Sequence, residues 1–211
     1  MVQVRKPEIQ DAILAGAKEL FESKGYNQTT VGQIAEQASV TTSNIYNYFP
    51  SKLDIFFAIY TPWYAERLEA LDREVDAIEG PREKLRKVLS TILRDLPVED
   101  HCFSNNLIQA VSTRPADRAF YGSNLGMSEK KVSAILRRIL PECRQWIIDD
   151  DVFSHFLLMA FDGFAMHARL TGPERRMEET IEMLCEFILG PAGEPEAVVS
   201  HQLSVVSKGA G

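Results

Sequence analysis

Three observations predict an all-α chain. Apolar residues recur at helical spacing in one stretch after another. No run of useful length alternates apolar and polar residues, as a half-buried strand would. Breakers fall between the stretches, at Gly25, Gly80-Pro81, Pro97, Pro115, Pro141 and Gly172-Pro173. The architecture expected is a small N-terminal three-helix unit over residues 1–51 and a larger helical domain over 52–190. Residues 191–211, rich in Gly, Pro and Ala, are expected as a flexible tail.

Met1 to Lys6 reads as an arm, and Pro7 suits the first turn of a helix. Ile9, Ile13, Ala17, Leu20 and Phe21 then keep one face until Gly25 stops them. Thr30 and Gln33 have capping-box spacing: hydroxyl to the N3 amide, glutamine back to the N-cap amide. Val31, Ile34, Ala35 and Ala38 share one face of the two-turn helix that follows. Ser39-Val40-Thr41 breaks it, and Thr41 can cap a second short helix from about Thr42 to Tyr48. Ile45 and Phe49 face inward there; Thr42, Ser43, Asn44 and Asn47 face outward, with Tyr46 and Tyr48 at the flanks.

Ser51 to Asp54 repeats the capping-box spacing and opens a helix running to about Ile78 with Pro62 inside it. Proline removes a hydrogen bond and should kink that helix, or else divide it in two. Further helices are expected over 83–96, 102–113, 116–140, 152–170 and 174–189, with 97–100 as a loop.

Composition excludes several classes. A hydrophobic content of 45% with 25% charged residues is that of a globular protein. Charges at Arg5, Lys6, Glu8 and Asp11 speak against a signal peptide. The most apolar stretch, 152–170, contains Ser154, His155, Asp162, His167 and Arg169, which makes a poor membrane span. Cys102, Cys143 and Cys185 lie far apart without metal spacing, as reduced thiols in a cytoplasmic protein would. The four histidines form no ligand motif, and no phosphate loop or nucleophile elbow appears. Neither an enzyme nor a cofactor is expected. The net charge of −7 excludes a general nucleic-acid binder. Residues 1–60 hold five basic and six acidic side chains, a net of −1; the remaining eighteen and twenty-four leave −6.

Small hydroxyl and amide side chains are mediocre helix formers, so the outward face of 42–48 needs an explanation. It is either a solvated surface or a helix that enters the DNA major groove, where Thr, Ser and Asn reach base edges. Periodicity leaves both readings open. Gly25-Tyr26, Thr29-Thr30-Val31, Ile34-Ala35, Ala38-Ser39-Val40, Ile45-Tyr46 and Tyr48-Phe49-Pro50-Ser51-Lys52 decide between them. Over residues 7 to 60 the chain resembles the DNA-binding domain of the TetR/AcrR family. Ser39 and Ser43 depart from the resemblance, standing where glycine or another small residue is common. The resemblance implies a double-stranded DNA operator read by Thr30, Thr41, Thr42, Ser43, Asn44, Tyr46, Asn47, Tyr48 and Lys52. It further implies a regulator, expected as a repressor, released by a small hydrophobic effector bound in the second domain. Trp63, Phe103, Asn106, Phe120, Trp146, Met159 and His167 are the candidate lining residues. The alternative is a DNA-organising or division-linked protein of the same architecture without such an effector.

The stretch 152–170 is apolar around most of its circumference, so it must be covered on more than one side. A homodimer is expected, joined through Phe156, Ala160, Gly163 and Phe164 together with Ile181, Leu184 and Ile188. Its two-fold symmetry would match a palindromic operator.

Overall fold

A computed structural model describes residues 6–112, 118–172 and 176–191. Among these every regular element is helical. Helix α1 spans Pro7–Lys24, α2 Val31–Gln37, α3 Thr42–Tyr48 and α4 Lys52–Asp76. Then come α5 Pro81–Ser90, a π turn at Thr91–Asp95, α6 Leu96–Glu99 and α7 Phe103–Ser112. Helix α8 covers Arg118–Ile139, a 3₁₀ segment Glu142–Asp151, α9 Val152–Thr171 and α10 Met177–Leu189.

The elements follow the sequence signals closely, with two differences. The helix expected over 83–96 widens into the π turn after Ser90, and the loop expected at 97–100 continues as α6. Helix α4 runs unbroken through Pro62, so the proline does not divide it. The expected tail lies, but for Pro191, outside the described residues.

The chain forms two compact units, and both are discontinuous in sequence. One holds residues 1–69 and 98–126, the other 70–97 and 127–211. The boundary expected after Ser51 therefore does not coincide with a structural one.

The core of the first unit is built from α1 to α4 together with α7. Ile13, Ala17, Phe21, Ile34, Ile45 and Phe56 are all buried, and Ala110 of α7 is buried among them. Phe56 sits at the centre of an aromatic group, with ring centroids 4.8–5.9 Å from those of Phe21, Tyr26, Phe57, Tyr60 and Phe103. Gly16 of α1 is buried where a β-carbon would stand 2.9 Å from Gln37 Cγ, which lets α2 pack close.

In the second unit α5 packs on α10, and the π turn on α9. Arg82 donates to Glu182 and to the Gly190 carbonyl, while Arg86 pairs with Glu178 and Glu182. The buried hydroxyls of Ser133 on α8 and Ser154 on α9 pair at 2.7 Å.

Candidate nucleic-acid interface

Both short helices of the turn are capped by their own sequence. The Gln33 amide donates to Thr30 Oγ1 at 3.2 Å, and the Thr30 amide donates to Gln33 Oε1 at 2.9 Å, closing the box on α2. The Asn44 amide donates to Thr41 Oγ1 at 3.1 Å, starting α3. At the start of α4, the Asp54 amide donates to Ser51 Oγ, whose hydroxyl donates to the Asp54 carboxylate.

The turn between α2 and α3 passes through Ser39 at φ +55°, in the left-handed region. Glycine is free there, whereas serine carries a β-carbon that strains the backbone. Relief of that strain should make Ser39→Gly more stable by roughly 0.5–1 kcal/mol. A thermal melt checks this: the midpoint should rise by about 2–4 °C per kcal/mol for a chain of this size. An unchanged or lower midpoint would contradict it.

With Ile45 fully buried beneath it, α3 turns Thr42, Ser43, Tyr46 and Asn47 to solvent, with Asn44 half-buried. Tyr46 is 54% exposed, unusual for a tyrosine at the edge of a core. This face carries no formal charge. What it offers is hydroxyl and amide groups, suited to hydrogen bonding in a groove rather than to a long-range electrostatic hold.

Two of the expected DNA contacts make bonds within the fold. Lys52 Nζ donates to the carbonyls of Tyr26 and Thr29, each at 2.7 Å, and lies 4.0 Å from the Tyr26 ring centroid. Tyr48 is buried, and its hydroxyl accepts from the Lys6 amide at 2.8 Å. Thr30 and Thr41 are exposed, but their hydroxyls serve as caps.

The family model for bacterial regulatory proteins of the tetR family matches residues 13–59. The likeness to the tetR family lies in this stretch, which holds the helix-turn-helix. The fatty acid metabolism regulator protein of Bacillus subtilis is 32% identical over 78 residues, 37% of this chain and 40% of that protein. The regulator HbdR of an Aromatoleum species is 35% identical over 78 residues, 37% of this chain and 34% of that protein. These matches thus span about two fifths or less of the relatives' length. In fold the likeness extends further. The Bacillus subtilis FadR, solved with stearoyl-CoA, matches 86% of this chain and 98% of its own with a TM-score of 0.59 at 18% identity.

Three residues expected to line an effector pocket belong to the helix-turn-helix unit. Phe103 stacks on Phe56, with centroids 5.6 Å apart and planes within 9°. Asn106 is fully buried; its Oδ1 accepts from the Tyr26 amide at 2.8 Å and its Nδ2 donates to the Phe21 carbonyl at 3.2 Å. Trp63 meets the edge of His101 at 5.9 Å. The partners of Asn106 lie some eighty residues earlier, beyond the reach of any local pattern. In the other unit Trp146, Met159 and His167 are exposed. The side chain of Phe120 lies outside the described residues.

The expected dimer residues divide in two. Ile181 and Ile188 are buried within their own unit, on the stripe of α10 that includes Met177 and Cys185; burial pushes the Cys185 thiol up to about 11. Phe156 and Gly163 are exposed, while Ala160, Phe164 and Leu184 are half-buried. Beside them Met159, Met166 and Leu170 of α9 and Met183 and Phe187 of α10 are also exposed. Helix α9 thus has two apolar faces, one buried on Leu157, Leu158, Phe161 and Ala165 and one open. Met183 and Phe187 were missed because their spacing was absorbed into the stripe of Ile181 and Ile188.

Among the described residues no helix is long and apolar enough to cross a membrane, and no cluster of three metal-ligating side chains occurs.

Proposed function

We propose that the chain is a cytoplasmic transcriptional regulator, a repressor, that binds a palindromic DNA operator as a homodimer. The observation that carries this reading is the uncharged hydroxyl and amide face of α3, capped by Thr41 and seated on a buried Ile45. Thr42, Ser43, Asn44 and Asn47 read base edges, and Tyr46 reaches a phosphate. Thr30 and Thr41 flank that face from their capping positions. The functional division places DNA reading in 1–51 and effector binding and dimerisation in 52–190.

The near-neutral charge of residues 1–60 makes affinity depend on docking two copies rather than on counterion release from a basic patch. The open apolar face of α9 and α10 supports the dimer. A small hydrophobic effector releases the DNA. The stearoyl-CoA held by a relative in fold supports a long-chain acyl thioester as the first candidate.

Selection from a random DNA pool with the full chain should recover a palindromic site. Asn47→Ala should cost about 1–3 kcal/mol of affinity and relax base preference at one position of each half-site. Tyr46→Phe should weaken all sequences alike. If both variants bind the selected duplex as the wild type does, α3 is not the reading helix. Titrating stearoyl-CoA into the preformed complex checks the effector, and DNA that stays bound rules out that class.

A further inference from the structure

The loop from Gly25 to Thr29, which joins α1 to α2, has its backbone polar groups taken by side chains from distant elements. Lys52 of α4 holds the carbonyls of Tyr26 and Thr29, each at 2.7 Å. Helix α7 holds the amides: Asn106 Oδ1 accepts from Tyr26 at 2.8 Å, and Gln109 Oε1 accepts from Asn27 at 3.0 Å. Asn106 Nδ2 also donates to the Phe21 carbonyl, on the last turn of α1. Gly25 stands at φ +81°, and a β-carbon there would lie 3.1 Å from Gln109 Oε1, so the glycine serves both the turn and the close approach of the amide. Helix α7 is itself anchored. The buried Asp100 carboxylate accepts from the Cys102 and Ser104 amides, and the Tyr60 hydroxyl donates to the His101 carbonyl at 3.2 Å.

We infer that Gln109 and Asn106 are positioning residues for DNA reading: through two side-chain amides, α7 fixes the loop that sets where α2 begins, and thereby the seat of α3. The inference rests on the DNA-binding reading above. The two amides differ in reach. Asn106 is fully buried and its bonds are part of the core. Gln109 is half-buried and its bond to Asn27 is exposed, so this one can open without unfolding the unit. A shift of α7 away from the loop releases Asn27 first and loosens the start of α2.

The test uses the full chain and a duplex selected from a random pool on the wild type. Gln109→Met removes the acceptor at similar length, and Gln109→Glu keeps an acceptor oxygen. Gln109→Met should lose about two- to fivefold in affinity, the equivalent of one exposed hydrogen bond. It should also lose the protection of the Asn27 amide against hydrogen exchange, with its melting midpoint nearly unchanged. Gln109→Glu should recover the protection and most of the affinity. A Gln109→Met variant that binds and protects as the wild type does would overturn the inference. So would an affinity loss matched by a fall in melting midpoint and not rescued by glutamate. If the wild type selects no DNA, the DNA-binding reading fails; the exchange of Asn27 in the two variants still reports whether the clasp exists.

Discussion

Gly163→Arg is expected to convert the proposed dimer into a folded monomer that no longer holds the proposed operator. Gly163 lies on the open face of α9, and a β-carbon there would meet nothing of its own chain within 4 Å. An arginine therefore fits the isolated protomer, and its helical signal and melting behaviour should be those of the wild type. Its neighbours on that face are Phe156, Met159, Met166 and Leu170, with Phe187 of α10 exposed to 75%. An exposed apolar patch of that character marks an interaction site. Against a second copy of that apolar face the guanidinium would be buried, and burying an unpaired charge outweighs a small packed contact. With the two reading helices unlinked, the second half-site no longer binds as an intramolecular event, and affinity should fall by roughly 10²–10⁴-fold. Sedimentation at micromolar concentration and a DNA titration measure both effects. A Gly163→Arg chain that still dimerises, or a wild type that is monomeric, rules out this face.

Phe56→Ala should unfold the helix-turn-helix unit. Its ring is fully buried and has five aromatic neighbours with centroids within 6 Å, drawn from α1, the loop after it, α4 and α7. Truncation removes the transfer free energy of a phenyl group and leaves a cavity that rigid rings on several sides cannot fill, a loss of about 3–5 kcal/mol. That is a large share of the stability of a single unit. The expected result is loss of the near-ultraviolet aromatic signal and of DNA binding at a temperature where the wild type is folded. Phe56→Leu, which keeps most of the volume, should retain both. An alanine variant with wild-type melting would remove this ring cluster from the core.

What could be read from the sequence follows from how far apart the interacting residues lie. The Thr30–Gln33 box and the Thr41 cap join residues three apart, and both are present as expected. The inward Ile34 and Ile45 and the outward Thr42, Ser43 and Asn47 follow from helical period alone. The bonds of Lys52 to the Tyr26 and Thr29 carbonyls were not legible, because those partners lie 26 and 23 residues away. The bond of Asn106 to the Tyr26 amide was hidden for the same reason, at a separation of 80. Helix α10 carries two apolar stripes, and periodicity identified the stripe of Ile181 and Ile188 without saying which one the unit itself buries. The left-handed Ser39 shows that a turn can keep its geometry when its residue is not the easiest one for it.

The participation of α7 in the first unit has a consequence for the nascent chain. The amides of Tyr26 and Asn27 leave the ribosome about eighty residues before the side chains that receive them. At about 5–20 residues per second that is a wait of roughly 4–16 s, during which those amides have only water as partner. Helices α1 to α4 can pack on one another in that interval, but the part of their core that Phe103 and Ala110 cover stays open until those residues arrive. A gene fusion that keeps residues 1–60 and replaces the remainder would leave that gap unfilled. One that carries residues 98–112 along would close it, so the unit that folds as a piece is a pair of segments rather than an N-terminal block.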